Sequence, residues 1–417
     1  MRKLPFGHLF AGKSHEPAIA LAEKLKEIAP FQVGKVFFAN SGSEANDTQI
    51  KLFWYANNAR GESGRKTIIS REKAYHGVTI AAASLTKLPA NHRSFDLPLD
   101  FVRFAESPHH YRNALPEESE EDFSARLADS LDGLIQREGP ETVAAMIVEP
   151  IQGAGGVLLP PKGYFARIEE VLARYGIPLI DDEVITGFGR TGNWFACTTY
   201  DFRPASMTLA KALSSAYLPI SAVLISPELG QLIEEESGRV GTFGHGYTYT
   251  GHPVAAAVAL KTIEIYQERD ILGRVRSVSP RFLGRLARLH DHPLVGEAAG
   301  IGLSERSKLL PTRPAGQISH PRRQLRQRSA GSSRKRESSH GRCWATESVF
   351  VRRSSSARPR STRCSIVLNG DSTADLIGPG AKPGRRRRAR NQRPARFFAR
   401  RGAKTASFAL FFASSCC

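Results

Sequence analysis

Cysteine is scarce in the first 303 residues of this 417-residue chain. Only Cys197 lies there, and the other four follow residue 303, at Cys343, Cys364, Cys416 and Cys417. A single cysteine cannot build an internal disulfide framework, so the sequence excludes the disulfide-stapled domains of secreted proteins. We therefore expect a reducing compartment and predict a cytoplasmic location.

Signals for membranes and metals are missing as well. No apolar run approaches the roughly 20 residues that a membrane-spanning helix needs, and the first residues lack the continuous apolar core of a signal peptide. The histidines His92, His109 and His110 do not occur with acids or cysteines at metal-ligand spacing. We predict no membrane contact and no metal site.

Acidic residues are rare after residue 303. The last 114 residues contain 27 Lys or Arg but only 5 Asp or Glu, whereas residues 1–303 contain 32 basic and 35 acidic residues. The net charge of +19 therefore belongs to the C-terminal part of the chain. The first 303 residues do not have the strongly basic balance that is typical of nucleic-acid-binding domains.

The most informative stretch runs from Ile177 to Leu213. An apolar segment, Ile177–Ile180, changes abruptly into three acids, Asp181, Asp182 and Glu183, and Lys211 follows among small residues. Ligands of open α/β sheets bind outside the carboxyl ends of the strands. A carboxylate there, followed by such a lysine, fits pyridoxal phosphate chemistry. The lysine would form a Schiff base and the carboxylate would keep the pyridine nitrogen protonated.

Two other interpretations of this stretch stay open at the level of the residues. Gly187, Gly189 and Gly192 match the dinucleotide-binding pattern, but that pattern should open a helix at once. Residues 193–202, rich in aromatics and threonine, do not predict a helix. Lys211 taken alone could equally be an exposed lysine.

Four further motifs accompany this stretch in order along the chain. They read FFANSGSEAND, KAYHGVTIAAASLT, IVEPIQGAGGVLLPPKGYF and GTFGHGYTYTGHP. With DDEVITGFGRTG and TLAKAL, they resemble the class III pyridoxal-phosphate aminotransferases, close to the omega-amino acid:pyruvate branch, over roughly residues 4–303. The resemblance implies a fold-type I large domain, a three-layer α/β/α sandwich on a mostly parallel sheet.

The turn that contains Gly42 and Ser43 precedes a predicted helix, Glu44–Ala59. Free N–H groups and the positive helix end suit a phosphate, although an ordinary helix cap gives the same pattern. The resemblance implies that Gly42 and Ser43 hold the cofactor phosphate.

The remaining site residues are implied by the resemblance. Tyr75 and Val184 would lie on opposite faces of the cofactor ring, although a half-buried core tyrosine gives the same pattern as Tyr75. Glu149 would order the site, or it is an acid facing solvent at the end of its strand. The list of implied cofactor-binding residues is Gly42, Ser43, Tyr75, Glu149, Asp182, Val184, Lys211 and Thr248, with Lys211 as the catalytic residue.

Two of these assignments carry further consequences. Thr248 would reach the phosphate of the cofactor bound to a neighbouring subunit, which predicts a homodimer. The resemblance implies that Asp182, not Asp181, is the partner of the ring nitrogen, and the two should point to opposite faces of the strand. We interpret His76 as structural.

The resemblance also predicts how the chain is divided. Residues 1–30 would be the remnant of an N-terminal segment whose earlier part is missing, and residues 31–252 the cofactor-binding large domain. Residues 253–303 would be the connecting helix and the start of a small C-terminal domain. Residues 304–417 would be a disordered basic tail.

The change after Leu303 is abrupt. The residues that follow are rich in Arg, Ser and Pro and show no helix or strand periodicity, so they could not bury enough apolar surface to fold. We interpret residues 304–417 as the product of a frameshift or sequencing error. The alternative is a genuine tail that binds nucleic acid through its phosphates.

The predicted function is transamination between an amine or omega-amino acid and a keto acid such as pyruvate, impaired in this chain. One alternative is another pyridoxal phosphate reaction on the same scaffold, that of an aminomutase or racemase. The other is an inactive protein whose basic tail binds nucleic acid non-specifically.

Overall fold

The computed structural model describes residues 2–9 and 12–309. The prediction for residues 310–417 lies outside these described residues. The strands are β1 Lys35–Ala39, β2 Thr67–Arg71, β3 Val102–Ala105, β4 Val143–Val148, β5 Leu179–Asp182, β6 Ser206–Leu209, β7 Ser221–Ile225, β8 Val295–Ile301 and β9 Ser304–Leu309. The helices are α1 Glu16–Ile28, α2 Gly42–Ala59, α3 Ile80–Leu85, α4 Pro89–His92, α5 His110–Asn113, α6 Glu120–Glu138, α7 Tyr164–Arg174, α8 Ala196–Tyr200, α9 Pro227–Val240, α10 Pro253–Glu268 and α11 Ile271–Ala287.

Seven strands form one sheet in the order β1-β7-β6-β5-β4-β2-β3. Strand β7 is antiparallel to both neighbours, and all other pairs are parallel. Every residue of β4, an uninterrupted apolar run, is buried, as expected for a strand covered on both faces. The mostly parallel sheet predicted from the sequence is therefore confirmed.

Helices cover both faces of the sheet. On one face Leu21 of α1, Phe123 of α6 and Ile168 of α7 share a buried apolar cluster. On the other face Phe53 of α2 and Leu229 of α9 pack in a second cluster. The sheet between two helical layers is the predicted three-layer α/β/α arrangement. Among the described helices, none has the length and apolar character that crossing a membrane requires.

Local sequence signals fix the junction between β1 and α2. The Ser41 side chain accepts a hydrogen bond from the Glu44 N–H at 3.2 Å, and the Glu44 carboxylate accepts one from the Asn40 N–H at 2.7 Å. This reciprocal capping satisfies N–H groups that a helix start leaves without a partner. The helix therefore begins at Gly42, two residues earlier than predicted.

The expectation that residues 193–202 form no helix is wrong, because α8 occupies Ala196–Tyr200. Its N–H groups find an acceptor elsewhere in the fold: Glu183 Oε1 accepts from the Cys197 N–H at 2.8 Å. This contact joins residues 14 positions apart, so no local pattern predicts it. The helix still does not open directly from Gly187–Gly192, as a dinucleotide site would require.

A second difference concerns the predicted boundary at residue 304. Strand β9, Ser304–Leu309, pairs antiparallel with β8, so regular structure continues past that boundary. The strand lacks apolar alternation, but Arg306 is buried in an ion pair with Glu297. The turn of this hairpin lies against the glycine-rich turn, where the Leu303 N–H donates to the Arg190 carbonyl at 3.0 Å.

Candidate active site

The ends of two neighbouring strands define the candidate site. Asp182 is the last residue of β5 and is aligned with Thr208 of the parallel strand β6. Lys211 begins a short 3-10 turn, Lys211–Leu213, just after β6. The predicted carboxylate and lysine therefore lie at the same edge of the sheet, where α/β proteins bind their ligands.

The carboxylate of Asp182 is 4% exposed and accepts three hydrogen bonds. The Asn46 Nδ2 and His76 Nδ1 atoms donate to Oδ2 at 2.7 and 2.8 Å. The Val184 N–H donates to Oδ1 at 3.1 Å. The donors come from three separate segments of the chain and so fix the orientation of this buried carboxylate.

His76 lies against the site, and its interpretation as structural stays a prediction. His76 is fully buried beside Asp182, and because Nδ1 donates to the carboxylate, that nitrogen carries the proton. Asn46, which the sequence interpretation did not single out, also bridges Asp182 and the His76 carbonyl. A weak signal was available: Asn46 and Gln49 are polar residues three positions apart on the helix, and both prove to be buried.

Glu149 is buried and not exposed to solvent, so the strand-end interpretation is wrong for this residue. Its Oε1 accepts from the Tyr75 N–H at 3.0 Å and its Oε2 from the Gly153 N–H at 2.9 Å. Burial raises the pKa of Glu149, and the neighbouring Asp182 charge raises it further. Glu149 thus ties the segment before His76 to the turn after β4.

The Tyr75 side chain is half-buried next to these acids. Burial raises the pKa of its phenol, and the charges of Asp182 and Glu149 act in the same direction. The phenol therefore stays neutral beside the carboxylates. The structure brings Tyr75, Glu149 and Asp182 together, as the sequence predicted, although their roles toward a cofactor stay predictions.

The start of α2 approaches the same site. A Cβ atom added to Gly42 would lie 3.1 Å from both Cγ atoms of Val184 and 3.7 Å from the Ala210 Cβ. Ser43 lies against Gly77, and its hydroxyl accepts from the Val78 N–H at 3.1 Å. The helix start therefore lies beside Val184, which follows Asp182, and beside Ala210, which precedes Lys211.

The backbone at Lys211 is strained. Its φ of +45° lies in the left-handed region, which costs a residue with a side chain about 1–2 kcal/mol. Such outliers persist where the surrounding structure over-determines them, often at functional sites. The Lys211 residue itself is partly buried.

Thr248 lies apart from this group. It is exposed at a turn in the loop between α9 and α10. This loop is held on α2 of the same chain: the Tyr247 hydroxyl donates to the Glu44 carbonyl at 3.0 Å, and the His245 Nε2 lies 2.9 Å from the Thr48 hydroxyl. The predicted contact of Thr248 with a neighbouring subunit stays a prediction.

The comparison with protein families agrees with the geometry. The family described as "Aminotransferase class-III" matches residues 6–304. This chain therefore belongs to the class III aminotransferase family, whose members use pyridoxal phosphate.

Curated relatives include plant transaminases of gamma-aminobutyrate. The chain is 51% identical over 304 residues to a probable gamma-aminobutyrate transaminase 3, mitochondrial, from Oryza sativa subsp. indica, covering 73% of this chain and 60% of the relative. It is 52% identical to a gamma aminobutyrate transaminase 1, mitochondrial, from Solanum lycopersicum, covering 73% and 59%. The match thus spans about 60% of the length of these relatives.

Solved structures show the same fold. One described as a transaminase with L-ala superimposes with a TM-score of 0.74 at 55% identity, covering 74% of this chain and 73% of that chain. The omega transaminase from Pseudomonas jessenii in complex with PMP superimposes with a TM-score of 0.73 at 50% identity, covering 74% and 68%.

The residues present fit pyridoxal phosphate. Asp182 offers a buried carboxylate for a ring nitrogen, and Lys211 supplies an amine at the neighbouring strand end. The first N–H groups of α2 have no acceptor within the helix. The backbone of Gly42 lies so close to Val184 that a side chain at position 42 would displace Val184. The donor set and the close backbone approach are what an anionic, aromatic cofactor requires.

Proposed function

We propose that this protein catalyses pyridoxal-phosphate-dependent transamination between an amine or omega-amino acid and a keto acid such as pyruvate. The observation that carries the proposal is the Asp182 carboxylate, held by three donors at one strand end while Lys211 starts the turn after the next strand. Membership of the class III family and the names of the relatives support it.

Bound pyridoxal phosphate would supply an aldehyde for the amino group and a ring that accepts electrons from the substrate carbon. Asp182 would hold a proton on the ring nitrogen, and the donors Asn46 and His76 orient its carboxylate. Lys211 would hold the cofactor covalently through Nζ. The same Nζ would carry the proton that moves at the substrate carbon.

Other residues place the cofactor. The N–H groups at Gly42 and Ser43 offer hydrogen bonds to its phosphate, with the positive end of the α2 dipole behind them. Val184, against which Gly42 packs, and Tyr75 would enclose the ring from its two faces. Glu149 fixes the Tyr75 backbone and so orders one of these faces.

The partners and location belong to the proposal as well. We propose a homodimer in which the exposed Thr248 reaches the cofactor phosphate of the second copy. A cytoplasmic location is supported by Cys197, a free and buried thiol. Among the described residues, no feature indicates that nucleic acid is a partner.

We also propose that turnover is low. The family match ends at residue 304, and the family's substrate-carboxylate arginine belongs to the C-terminal part of its pattern. Within strand β9 the buried Arg306 is already paired with Glu297.

A spectral half-reaction tests the proposal. The purified chain, loaded with pyridoxal phosphate, is mixed with gamma-aminobutyrate or beta-alanine, and the cofactor absorbance and the semialdehyde product are followed. We expect conversion to pyridoxamine phosphate with one equivalent of semialdehyde, reversed by pyruvate with formation of alanine. An aminomutase or racemase would accumulate neither the semialdehyde nor pyridoxamine phosphate. A Lys211→Ala control should show no conversion.

A further inference from the structure

Three titratable side chains meet behind Asp182, in a cluster formed by Asp181, Glu183 and Cys197. Their carboxylate oxygens and the thiol sulfur all lie within 4.8 Å of one another. Asp181 is 0% and Glu183 1% exposed. Because strand side chains alternate, this cluster lies on the face of β5 opposite the Asp182 carboxylate, and the proposed reaction uses none of its members.

Hydrogen bonds are distributed unequally within the cluster. Glu183 accepts from the Cys197 N–H at 2.8 Å with one oxygen and from the Thr186 hydroxyl with the other. Among the described residues, no backbone N–H or hydroxyl donates to Asp181, whose polar neighbours are the Glu183 carboxylate and the Cys197 thiol. Donors favour an ionised carboxylate, so the negative charge belongs on Glu183. A second charge on Asp181 would be buried with only the weak thiol donor of Cys197 beside it and would repel the first.

We propose that Asp181 is a neutral carboxylic acid that shares its proton with Glu183, and that this acid pair positions Asp182. The second half rests on the proposed function; the first half does not. The link to Asp182 runs through the backbone of Glu183. Its N–H donates to the Thr208 carbonyl at 3.0 Å, and its carbonyl accepts from the Gly187 N–H at 2.9 Å.

Holding Glu183 therefore fixes the chain on both sides of it. The next residue, Val184, donates the 3.1 Å hydrogen bond to Asp182 Oδ1. If Glu183 moved, this donor and the turn at Gly187 would move with it.

The titratable groups that act on Asp181 are Glu183, Asp182 and Cys197. Burial raises the pKa of Asp181 well above its usual value, and the charges of Glu183 and Asp182 raise it further. Burial also raises the pKa of Glu183, to about 7, and that of the Cys197 thiol. Because a thiol that keeps its proton is a poor metal ligand, the cluster is better suited to holding a proton than a cation.

Infrared spectroscopy of the full chain at neutral pH tests the first half. A protonated buried acid gives a carbonyl stretch that shifts in heavy water. We expect this band in the unmodified protein, its loss on alkaline titration, and its absence from Asp181→Asn. The matched variant Asp129→Asn, at an exposed acid, should keep it. If Asp181→Asn retains the whole band, or if metal analysis finds a stoichiometric ion that Asp181→Asn releases, Asp181 is not the protonated acid.

Cofactor affinity tests the second half. Asn can still donate to Glu183 whereas Ala cannot, so Asp181→Asn should bind pyridoxal phosphate nearly as well as the unmodified protein. Asp181→Ala should bind it roughly tenfold more weakly, as expected for one lost hydrogen bond to a charged group. Equal affinities would overturn the positioning role. A protein with the infrared band but no transamination would refute the proposed function and leave the neutral acid intact.

Discussion

The Nδ1 atom of His76 lies 2.8 Å from the Oδ2 atom of Asp182, and both side chains are buried. The two residues are 106 positions apart, so the fold alone creates this pair. A hydrogen bond to a charged group contributes about 1.5–3 kcal/mol. This hydrogen bond makes His76 part of the structure that holds Asp182, the proposed partner of the ring nitrogen.

Replacing His76 with leucine should therefore weaken binding of pyridoxal phosphate by roughly 10- to 100-fold, since one donor to the Asp182 carboxylate is lost. Absorbance titration of the apoprotein measures the affinity. The control His92→Leu removes a histidine whose Nε2 bonds the Ala83 carbonyl at 2.9 Å, away from Asp182, and should leave the affinity within about twofold. Similar losses in both variants would contradict a specific role for His76.

Asp182→Asn should slow the half-reaction by about 10²- to 10³-fold, the typical cost of removing one electrostatic stabiliser from an active site. The neutral amide cannot keep the ring nitrogen protonated. Asp181→Asn should do far less harm, because Asp181 lies on the other face of β5. Stopped-flow absorbance gives both rates. Equal losses would show that the wrong strand face has been assigned.

Borohydride reduction of the protein loaded with pyridoxal phosphate should attach the cofactor covalently to Lys211. Peptide mapping by mass spectrometry locates the label. Lys211→Ala should take up no label, whereas Lys87→Ala, which removes a lysine over the Phe104 ring, should be labelled like the unmodified chain. A label on another lysine, with Lys211 unmodified, would refute the assignment.

Gly42→Ala should weaken cofactor binding and lower stability by about 1–3 kcal/mol, because the new Cβ overpacks against Val184. Thermal unfolding and absorbance titration report the two effects. The control Gly238→Ala lies in α9 with no atom within 4 Å of the added Cβ, and should be neutral or slightly stabilising. Unchanged affinity in Gly42→Ala would argue against a phosphate site at the start of α2.

The acid pair predicts a pH dependence of stability. The pKa of Asp181 is raised in the folded chain above its ordinary value of 3.8, and that of Glu183 is raised to about 7. The folded state therefore binds more protons than the unfolded state, so the free energy of unfolding falls as pH rises from about 4 toward and past 7. Urea denaturation at several pH values should show this decline. It should be smaller in Asp181→Asn and unchanged in Asp129→Asn.

Regular periodicity predicted the elements that depend on local pattern. Helix α1, Glu16–Ile28, and strand β4, Val143–Val148, are elements of this kind. Both have apolar residues at the spacing their buried faces require. The grouping of Tyr75, Glu149 and Asp182 in one site was predicted from the family motifs and not from periodicity.

Contacts between distant segments account for what the sequence did not predict. Helix α8 begins where Glu183 accepts the Cys197 N–H, and β9 buries Arg306 against Glu297. Neither partner is visible from local spacing. The Asp182 donors were missed for the same reason, because Asn46 and His76 meet the carboxylate across 136 and 106 positions.

The left-handed backbone at Lys211 affects which amino acids are favoured at this position during evolution. Glycine adopts that conformation without the steric penalty that lysine incurs, so random substitution filtered only for folding would replace Lys211 with glycine. The amine survives there only under selection for what it does. In a library of variants at position 211 sorted for thermal stability alone, glycine should be enriched over lysine, whereas sorting for amine transfer should return lysine.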